Sequence, residues 1–345
     1  MNYLEKAFEQ ALLAVGVSFP NPAVGAVVVK DGKIVGVGHT QRIHGPHAEV
    51  MALRDATERA NQATLYVTLE PCCHFGRTPP CTQAIIAAGI RKVFFAHRDP
   101  NPQVFGKSEK ILASAGIESV FVSPPDDFLH FYDAYDFFVR NRRPFVELKI
   151  AESADGFIAA ADRSPVRISG MEANVWTAKW RRTAECICVG GGTVLADNPK
   201  LTVRGVGGNH PIRIVFAGSR LLSRHLHLWE TPFARLPMVY SRIPQTELDG
   251  LAEVRLLEGK TFAENWSKMM DDLSQMGIHR LAVEPGATLC RQILANKMWN
   301  RLFVLRSTKE MFNGLSWRSG VEPELRQIAK LGTDFLLAAD RDENQ

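Results

Sequence analysis

Apolar and polar positions along this chain follow two periods, and where the period changes a new element is expected. Leu4, Phe8, Ala11, Leu12 and Val15 recur at helical spacing, so the chain should open with an amphipathic helix. Residues 24–37, VGAVVVKDGKIVGV, are two apolar runs joined at Asp31-Gly32, a pair that favours a two-residue hairpin turn. HAEVMALRDATERA from His47 reads as a helix, TLYVTLE at 64–70 as a buried strand and TQAIIAAGI at 82–90 as a helix. KVFFAH, SEKILASAG and IESVFV continue as strand, helix and strand, and 127–140 reads as a helix. NRRP at 141–144 breaks the pattern and sets the expected boundary between two domains, 1–144 and 145–345.

The second half restarts with FVELKIA, a strand. AECICVGGGTVLADNP at 184–199 reads as a strand running into a glycine turn, and PIRIVFAG and LPMVYS as strands. ENWSKMMDDLSQMG reads as a helix, RLAVEPGATLCRQILA as strand, turn and helix, and RLFVLRS as a strand. Residues 220–262 and those after 306 carry little pattern. Strands alternating with helices in both halves predict two layered α/β domains.

With 345 residues and 46% hydrophobic content the chain can bury two cores. The formal charge of +4 is too mild to require a nucleic-acid or membrane partner. No apolar run approaches the ~20 residues of a membrane span, and the acids Glu5 and Glu9 argue against a signal peptide. Six cysteines in so long a chain suit a reducing cytoplasm rather than a disulfide framework.

Three of those cysteines fall in EPCCHFGRTPPC, residues 70–81. His47 and Glu49 stand as H-A-E at a helix start, and Cys72 and Cys81 bracket the loop, each expected near a helix N-terminus. Zinc takes a neutral imidazole and thiolates in tetrahedral geometry. Three such ligands leave a position for a water whose pKa the metal lowers to ~7. A carboxylate two residues from the histidine can carry protons without ligating, as in the H-x-E and P-C pattern of zinc deaminases. A structural zinc site built from Cys72, Cys73, Cys81 and His74 is the competing reading, and it leaves H-A-E without a purpose. Cys73 receives no role.

The stretched loop, with eight residues between its zinc-binding cysteines, closely resembles the E-P-C-x-H-x-G-K/R-T-P-P-C loop of the bifunctional riboflavin-biosynthesis deaminase–reductase family. The likeness extends to NPAVGAVVV at 21–29, HAEVMAL at 47–53, DPNPQVFG at 99–106, LKIAESADG at 148–156 and GGGTVLADNPKLTVR at 190–204. A weaker echo is LAVEPGATL at 281–289, so the resemblance covers about residues 1–300. It implies a cytidine-deaminase-like layered domain followed by a dihydrofolate-reductase-like α/β domain. It also implies a sequence of two reactions on a phosphorylated pyrimidine. A diaminopyrimidinone is deaminated hydrolytically with zinc, and its ribose is then reduced to a ribityl chain with NADPH. A homo-oligomer, dimer or tetramer, is implied as well.

By the same resemblance His47, Cys72 and Cys81 hold the metal and Glu49 shuttles the proton. Asn21, His74, Arg77, Thr78, Asp99 and Asn101 fall where the family contacts substrate. In the second domain Lys149, Asp197 and Glu284, expected at three strand ends, are catalytic, and Arg181, Leu201, Arg204 and Glu284 bind substrate. Ala151, Arg167, Gly192, Thr193, Asp197 and Gly286 bind the cofactor. The chain departs from the family pattern at Thr40 (with His39 beside it), Ser108, Phe157, Arg167, Ala217 and Pro285. Three other activities compete. A deaminase with a non-catalytic C-terminal module would not bind NADPH. A nucleic-acid editing deaminase would have a basic surface and a two-residue cysteine spacing. A mononucleotide deaminase would not need residues 145–345.

Overall fold

A computed structural model of the chain describes residues 2–162, 164, 166–230, 235–318, 320 and 322–341. The chain divides into two compact units, Met1–Arg143 and Pro144–Gln345.

In the first unit α1 (Tyr3–Ala14) is capped by Asn2, whose side chain accepts from Glu5 N–H. The hairpin of β1 (Gly25–Lys30) and β2 (Lys33–His39) turns at Asp31 and Gly32, both at positive φ. α2 (Ala48–Ala56), β3 (Thr64–Val67), α3 (Cys81–Ala87), β4 (Lys92–Phe95), α4 (Lys107–Ser114), β5 (Glu118–Phe121) and α5 (Asp133–Asn141) follow. The sheet order is β2-β1-β3-β4-β5, with β3, β4 and β5 parallel and β1 antiparallel to both neighbours. Glycines let helices lie directly on this sheet. A Cβ at Gly25 would fall 1.9 Å from the Ala7 carbonyl of α1, and one at Gly36 would fall 2.3 Å from the Ala52 carbonyl of α2. Two expectations change here. The strand from 64 ends at Val67, and 127–140 holds only a short 3-10 turn at Asp126–Phe128 before α5. Packing overrides helix periodicity at that point: Phe128 stacks on Phe8 at 4.6 Å, and the Tyr132 hydroxyl bonds Ala23 O and Thr68 Oγ1.

The second unit runs β6 (Phe145–Glu152), β7 (Phe157–Ala159), α6 (Met171–Arg182), β8 (Cys186–Gly190), α7 (Gly191–Asp197), β9 (Ile212–Gly218), α8 (His227–Glu230) and β10 (Met238–Ser241). It continues with β11 (Glu253–Leu256), α9 (Phe262–Gln275), β12 (Arg280–Glu284), α10 (Ala287–Ala295), β13 (Arg301–Arg306), β14 (Leu315–Ser316), β15 (Arg326–Leu331) and β16 (Asp334–Asp340). The main sheet has the order β11-β10-β9-β8-β12-β6-β13-β16-β15, and β14 pairs with β7 beside it. The seven strands from β11 to β13 are parallel, and β16 and β15 close the edge antiparallel. Parallel strands buried on both faces read as continuous apolar runs, as Cys186–Val189 and Leu281–Val283 do. The glycine turn expected after 190 is instead the start of α7. A Cβ at Gly191 would meet Ala217 Cα and O at 3.0 Å, so close packing on β9 rather than a turn requires the glycine. The poorly patterned end of the chain supplies two strands of the main sheet.

Candidate functional site

Within the first unit, three segments meet at one cluster. Gly38 continues the close approach of β2 to α2, since a Cβ there would lie 2.4 Å from Ala52 N. The start of α2 is therefore fixed, with His47 as its N-cap residue and Glu49 in its first turn. Beyond β3 the chain makes the irregular excursion 71–80 and returns at Cys81, the first residue of α3. His47 Nδ1 lies 3.5 Å from Cys72 Sγ and 3.4 Å from Cys81 Sγ, and the three atoms fall within 4.8 Å of one another.

One imidazole nitrogen and two sulfurs so disposed fit a zinc ion with a fourth position open. Cys72 is in the loop rather than on a helix of its own. It still feels the start of α3, because the Cys81 N–H donates to its sulfur at 3.3 Å. Hydrogen bonds from Cys81 and then His47 hold the Cys72 thiol well below its ordinary range, which suits a ligand that must be a thiolate. Thr78 Oγ1 is 3.3 Å from His47 Nε2, so the ring nitrogen facing away from the sulfurs is engaged too. A partner at that position orients a ligating histidine. Cys73 donates to the Gln103 carbonyl and stays outside the cluster. Glu49 is buried, and that burial, followed by the charge of Cys72, pushes its carboxyl up to about 7. A group poised there can both take and release a proton near neutral pH.

Asp99 is buried, and its Oδ1 accepts from Asn101 N–H at 2.9 Å and from the Tyr135 hydroxyl at 3.2 Å. Burial is the main reason its carboxyl rises to about 6. Asn101 spends its own Oδ1 on Gln103 N–H, leaving its amide NH2 for other acceptors. Asn21 is half-buried, and its carbonyl accepts from Ser18 Oγ. On the excursion His74 is half-buried and Arg77 exposed. Thr40, just past β2, is buried with its hydroxyl on the Val24 carbonyl, and His39 beside it is half-buried. Sequence reasoning missed Tyr135, which lies on α5, outside every motif.

Within the second unit a cavity of about 1160 Å³ opens at the C-terminal ends of β6, β8, β9 and β12. Lys149, Arg181, Asp197, Arg204 and Glu284 line it, as do Ala151, Arg167, Gly192, Thr193 and Gly286. Lys149 lies within β6, Asp197 ends α7 and Glu284 ends β12, so the three do not all come from strand ends. Glu284 takes a bidentate pair from Arg181, 2.5 Å from Nε and 2.9 Å from Nη2, and its Oε2 is 3.2 Å from Lys149 Nζ. Burial alone would raise the Glu284 carboxyl, but Lys149 and Arg181 more than offset it and hold the group at about 2. Asp197 sits at the exposed lip, where partial burial raises its carboxyl. A Cβ at Gly286 would lie 2.7 Å from Thr193 Oγ1, so these two expected cofactor residues face each other. Leu201 does not line the cavity. Its apolar side chain is buried in the core cluster with Trp180, Val194 and Val215, where burial is worth more than a polar contact. Pro285 lines the cavity but precedes α10, whose N-cap is Gly286, so no N–H inside the helix is lost.

The model of the cytidine and deoxycytidylate deaminase zinc-binding region matches residues 1–97, and that of the RibD C-terminal domain matches residues 144–309. The riboflavin biosynthesis protein RibD of Aquifex aeolicus is 38% identical over 97% of this chain and 97% of its own length. The protein of the same name from Escherichia coli is 34% identical over 97% of each. A solved diaminohydroxyphosphoribosylaminopyrimidine deaminase/5-amino-6-(5-phosphoribosylamino)uracil reductase from Thermotoga maritima has the same fold, with a TM-score of 0.79 at 31% identity and 97% of each chain covered.

Proposed function

The chain belongs to the RibD family of riboflavin-biosynthesis proteins, and from that membership we propose how its residues divide two reactions. It is a bifunctional enzyme with a zinc-dependent deaminase domain and an NADPH-dependent reductase domain. Its substrate is the phosphoribosylamino-pyrimidine named for the Thermotoga relative. The ring amine is hydrolysed first, and the ribose is then reduced to the ribityl chain.

In the deaminase half His47, Cys72 and Cys81 hold the metal. Zinc supplies the Lewis acidity that makes water nucleophilic at neutral pH. Glu49 takes the proton from the attacking water and delivers it to the departing amine, a transfer its raised pKa permits. Thr78 keeps the His47 ring in place. Asp99 and Asn101 read donors and acceptors on the heterocycle, with Asn21 and His74 at its edge. Arg77, exposed on the excursion, meets the phosphate.

In the reductase half NADPH supplies the hydride. Lys149 Nζ, 3.2 Å from Glu284 Oε2, gives a proton to the ribose ring oxygen as the ring opens. Glu284 fixes both Lys149 and Arg181, and Asp197 contacts the sugar from the lip. Arg204 receives the 5′-phosphate, since Arg181 is already committed to Glu284. Gly192, Thr193, Gly286, Ala151 and Arg167 carry the cofactor. The domain boundary falls at 143/144, and the enzyme works as a homo-oligomer in the cytoplasm. All six cysteines are free, as a reducing compartment favours. No described helix is long and apolar enough to cross a membrane.

The observation that carries this reading is the cluster of His47, Cys72 and Cys81 with buried Glu49 beside it. The test follows ammonia release and NADPH loss together on the diaminopyrimidine substrate, with metal analysis of the same protein. We expect one zinc per chain, lost in Cys72→Ala together with ammonia release. Zinc near zero, or unchanged by that substitution, removes the deaminase reading.

A further inference from the structure

One cation of the reductase cavity has no task in the assignments above. Arg220 follows β9, is exposed to the cavity, and lies against Gly192, the second residue of α7. A Cβ at Gly192 would stand 3.7 Å from Arg220 Nε and 3.8 Å from its Cζ and Nη2. The backbone of Arg220 is anchored on both sides. Its N–H donates to the Ala217 carbonyl, and its own carbonyl accepts from Gln245 Nε2 at 2.7 Å. Gln245 is buried and also holds Leu222 N–H and Ser241 Oγ. Among the described residues no hydrogen bond or ion pair engages the Arg220 guanidinium. A positioned and unpaired guanidinium in a cavity is the group that suits a phosphate.

Sheet order decides which phosphate. Counting from β9, the neighbours are β8, β12 and β6. Glu284 on β12 is two strands away and Lys149 on β6 is three, or roughly 10 and 14 Å at the usual ~4.8 Å spacing. The nicotinamide must lie beside those reacting groups, with Gly192 and Gly286 two residues beyond the ends of β8 and β12, the strands between. Arg220 is thus placed at the far end of a dinucleotide laid across the strand ends, where the adenosine ribose lies. β8, α7 and β9 form a parallel strand–helix–strand unit. Dinucleotide-binding units of this kind show the chemistry that tells the two cofactors apart: an acid suits the 2′-hydroxyl of the adenosine ribose, an arginine the 2′-phosphate. Here that turn reads Ala217, Gly218, Ser219 and Arg220, with no carboxylate.

We propose that Arg220 binds the 2′-phosphate of NADPH and sets the preference of the reductase for NADPH over NADH. This rests on reading the second unit as a reductase. The test uses the full-length enzyme, wild type and Arg220→Ala. Calorimetric binding of 2′,5′-ADP and of ADP is measured beside kcat/KM for NADPH and NADH with saturating deaminated substrate. Loss of one charge-assisted contact should weaken 2′,5′-ADP and NADPH by about 10- to 100-fold and leave ADP and NADH within about threefold. Arg220→Lys should recover part of the loss. An equal loss for both nucleotides would place Arg220 on the pyrophosphate and overturn the proposal. A raised KM for the pyrimidine substrate with unchanged nucleotide binding would place it on the substrate phosphate and overturn it equally. If the wild-type protein binds neither nucleotide, the reductase reading itself fails. Because Arg220 is exposed, its replacement leaves the fold intact, which circular dichroism of the variant checks.

Discussion

The candidate deaminase centre gathers His47, Glu49, Cys72 and Cys81 from residues 47–81, whereas the reductase cavity takes its charged groups from residues 149–284. In the first, one helix start and one excursion bring the cluster together, and burial raises the carboxyls of Glu49 and Asp99. In the second, a β strand, a helix and a strand end contribute one charge each to the ion cluster of Lys149, Arg181 and Glu284, and the cluster holds its carboxylate downward. The same residue type is thus prepared for opposite work. Glu49 is poised to exchange a proton, and Glu284 is kept ionised as a fixed charge. The contrast says which substitutions should stop chemistry outright and which should weaken it through the scaffold.

The largest expected effect is that of Glu49→Gln. The amide preserves shape and cannot carry a proton, so ammonia release should fall by ~10²–10⁴-fold. Zinc content and NADPH oxidation on the deaminated substrate should stay at wild-type levels. Ammonia release near the wild-type rate would make Glu49 a bystander.

Glu284→Gln tests the other half. It leaves Arg181 and Lys149 without their partner in a buried place, and removal of one member of such a group costs about 3 kcal/mol. NADPH oxidation should fall as Arg181 and Lys149 lose their positions, while ammonia release persists. The carboxyl sits at about 2 in the folded protein against its usual 4.5. Its contribution to stability is therefore full above pH 4.5 and fades as pH falls through 2. The stability gap between wild type and variant should be widest at pH 7 and clearly narrower at pH 3. All six tryptophans lie in residues 176–317, so their fluorescence in urea titrations reports this unit alone. A gap independent of pH would mean that the ion cluster does not stabilise the fold.

Legibility in the sequence follows the same division. The alternation of strands and helices showed both α/β units, because their buried strands are short apolar runs bounded by turns. The zinc ligands were readable because a thiol pair, a histidine and a carboxylate at such spacing have few other uses. Leu201, carried over by position, has its side chain in the core cluster, a placement that the motif alone does not show. The glycines at 190–192 read as a turn because close packing of a helix start on Ala217 leaves the same residues behind. β15 was illegible because an edge strand exposed on one side carries few apolar positions, whereas β16, buried between β13 and β15, is an apolar run at 335–339 that went unread. Arg220 and Tyr135 were invisible for a different reason: a lone arginine or tyrosine gains meaning only from what the fold sets beside it.

Tyr135 gives the smallest and most discriminating prediction. Its hydroxyl donates to Asp99 Oδ1, sharing that oxygen with Asn101 N–H. Burial raises Asp99 to about 6, with smaller upward pushes from Glu70 and Cys72, and the two donors hold it from rising further. Tyr135→Phe keeps the ring against Tyr132 and removes one donor. A hydrogen bond to a charged acceptor is worth about 1.5 kcal/mol, or about one pH unit. The loss of a donor favours the protonated acid, so the Asp99 carboxyl should titrate higher. If Asp99 reads the pyrimidine as an ionised acceptor, the acid limb of kcat/KM for deamination should move up by as much as about one unit. Activity should stay within about twofold of wild type at pH 8 and be several-fold lower at pH 6. A purely structural tyrosine would lower the melting temperature and leave the acid limb in place. That outcome would return Asp99 to the fold and leave the reading of the heterocycle to Asn101 and its neighbours.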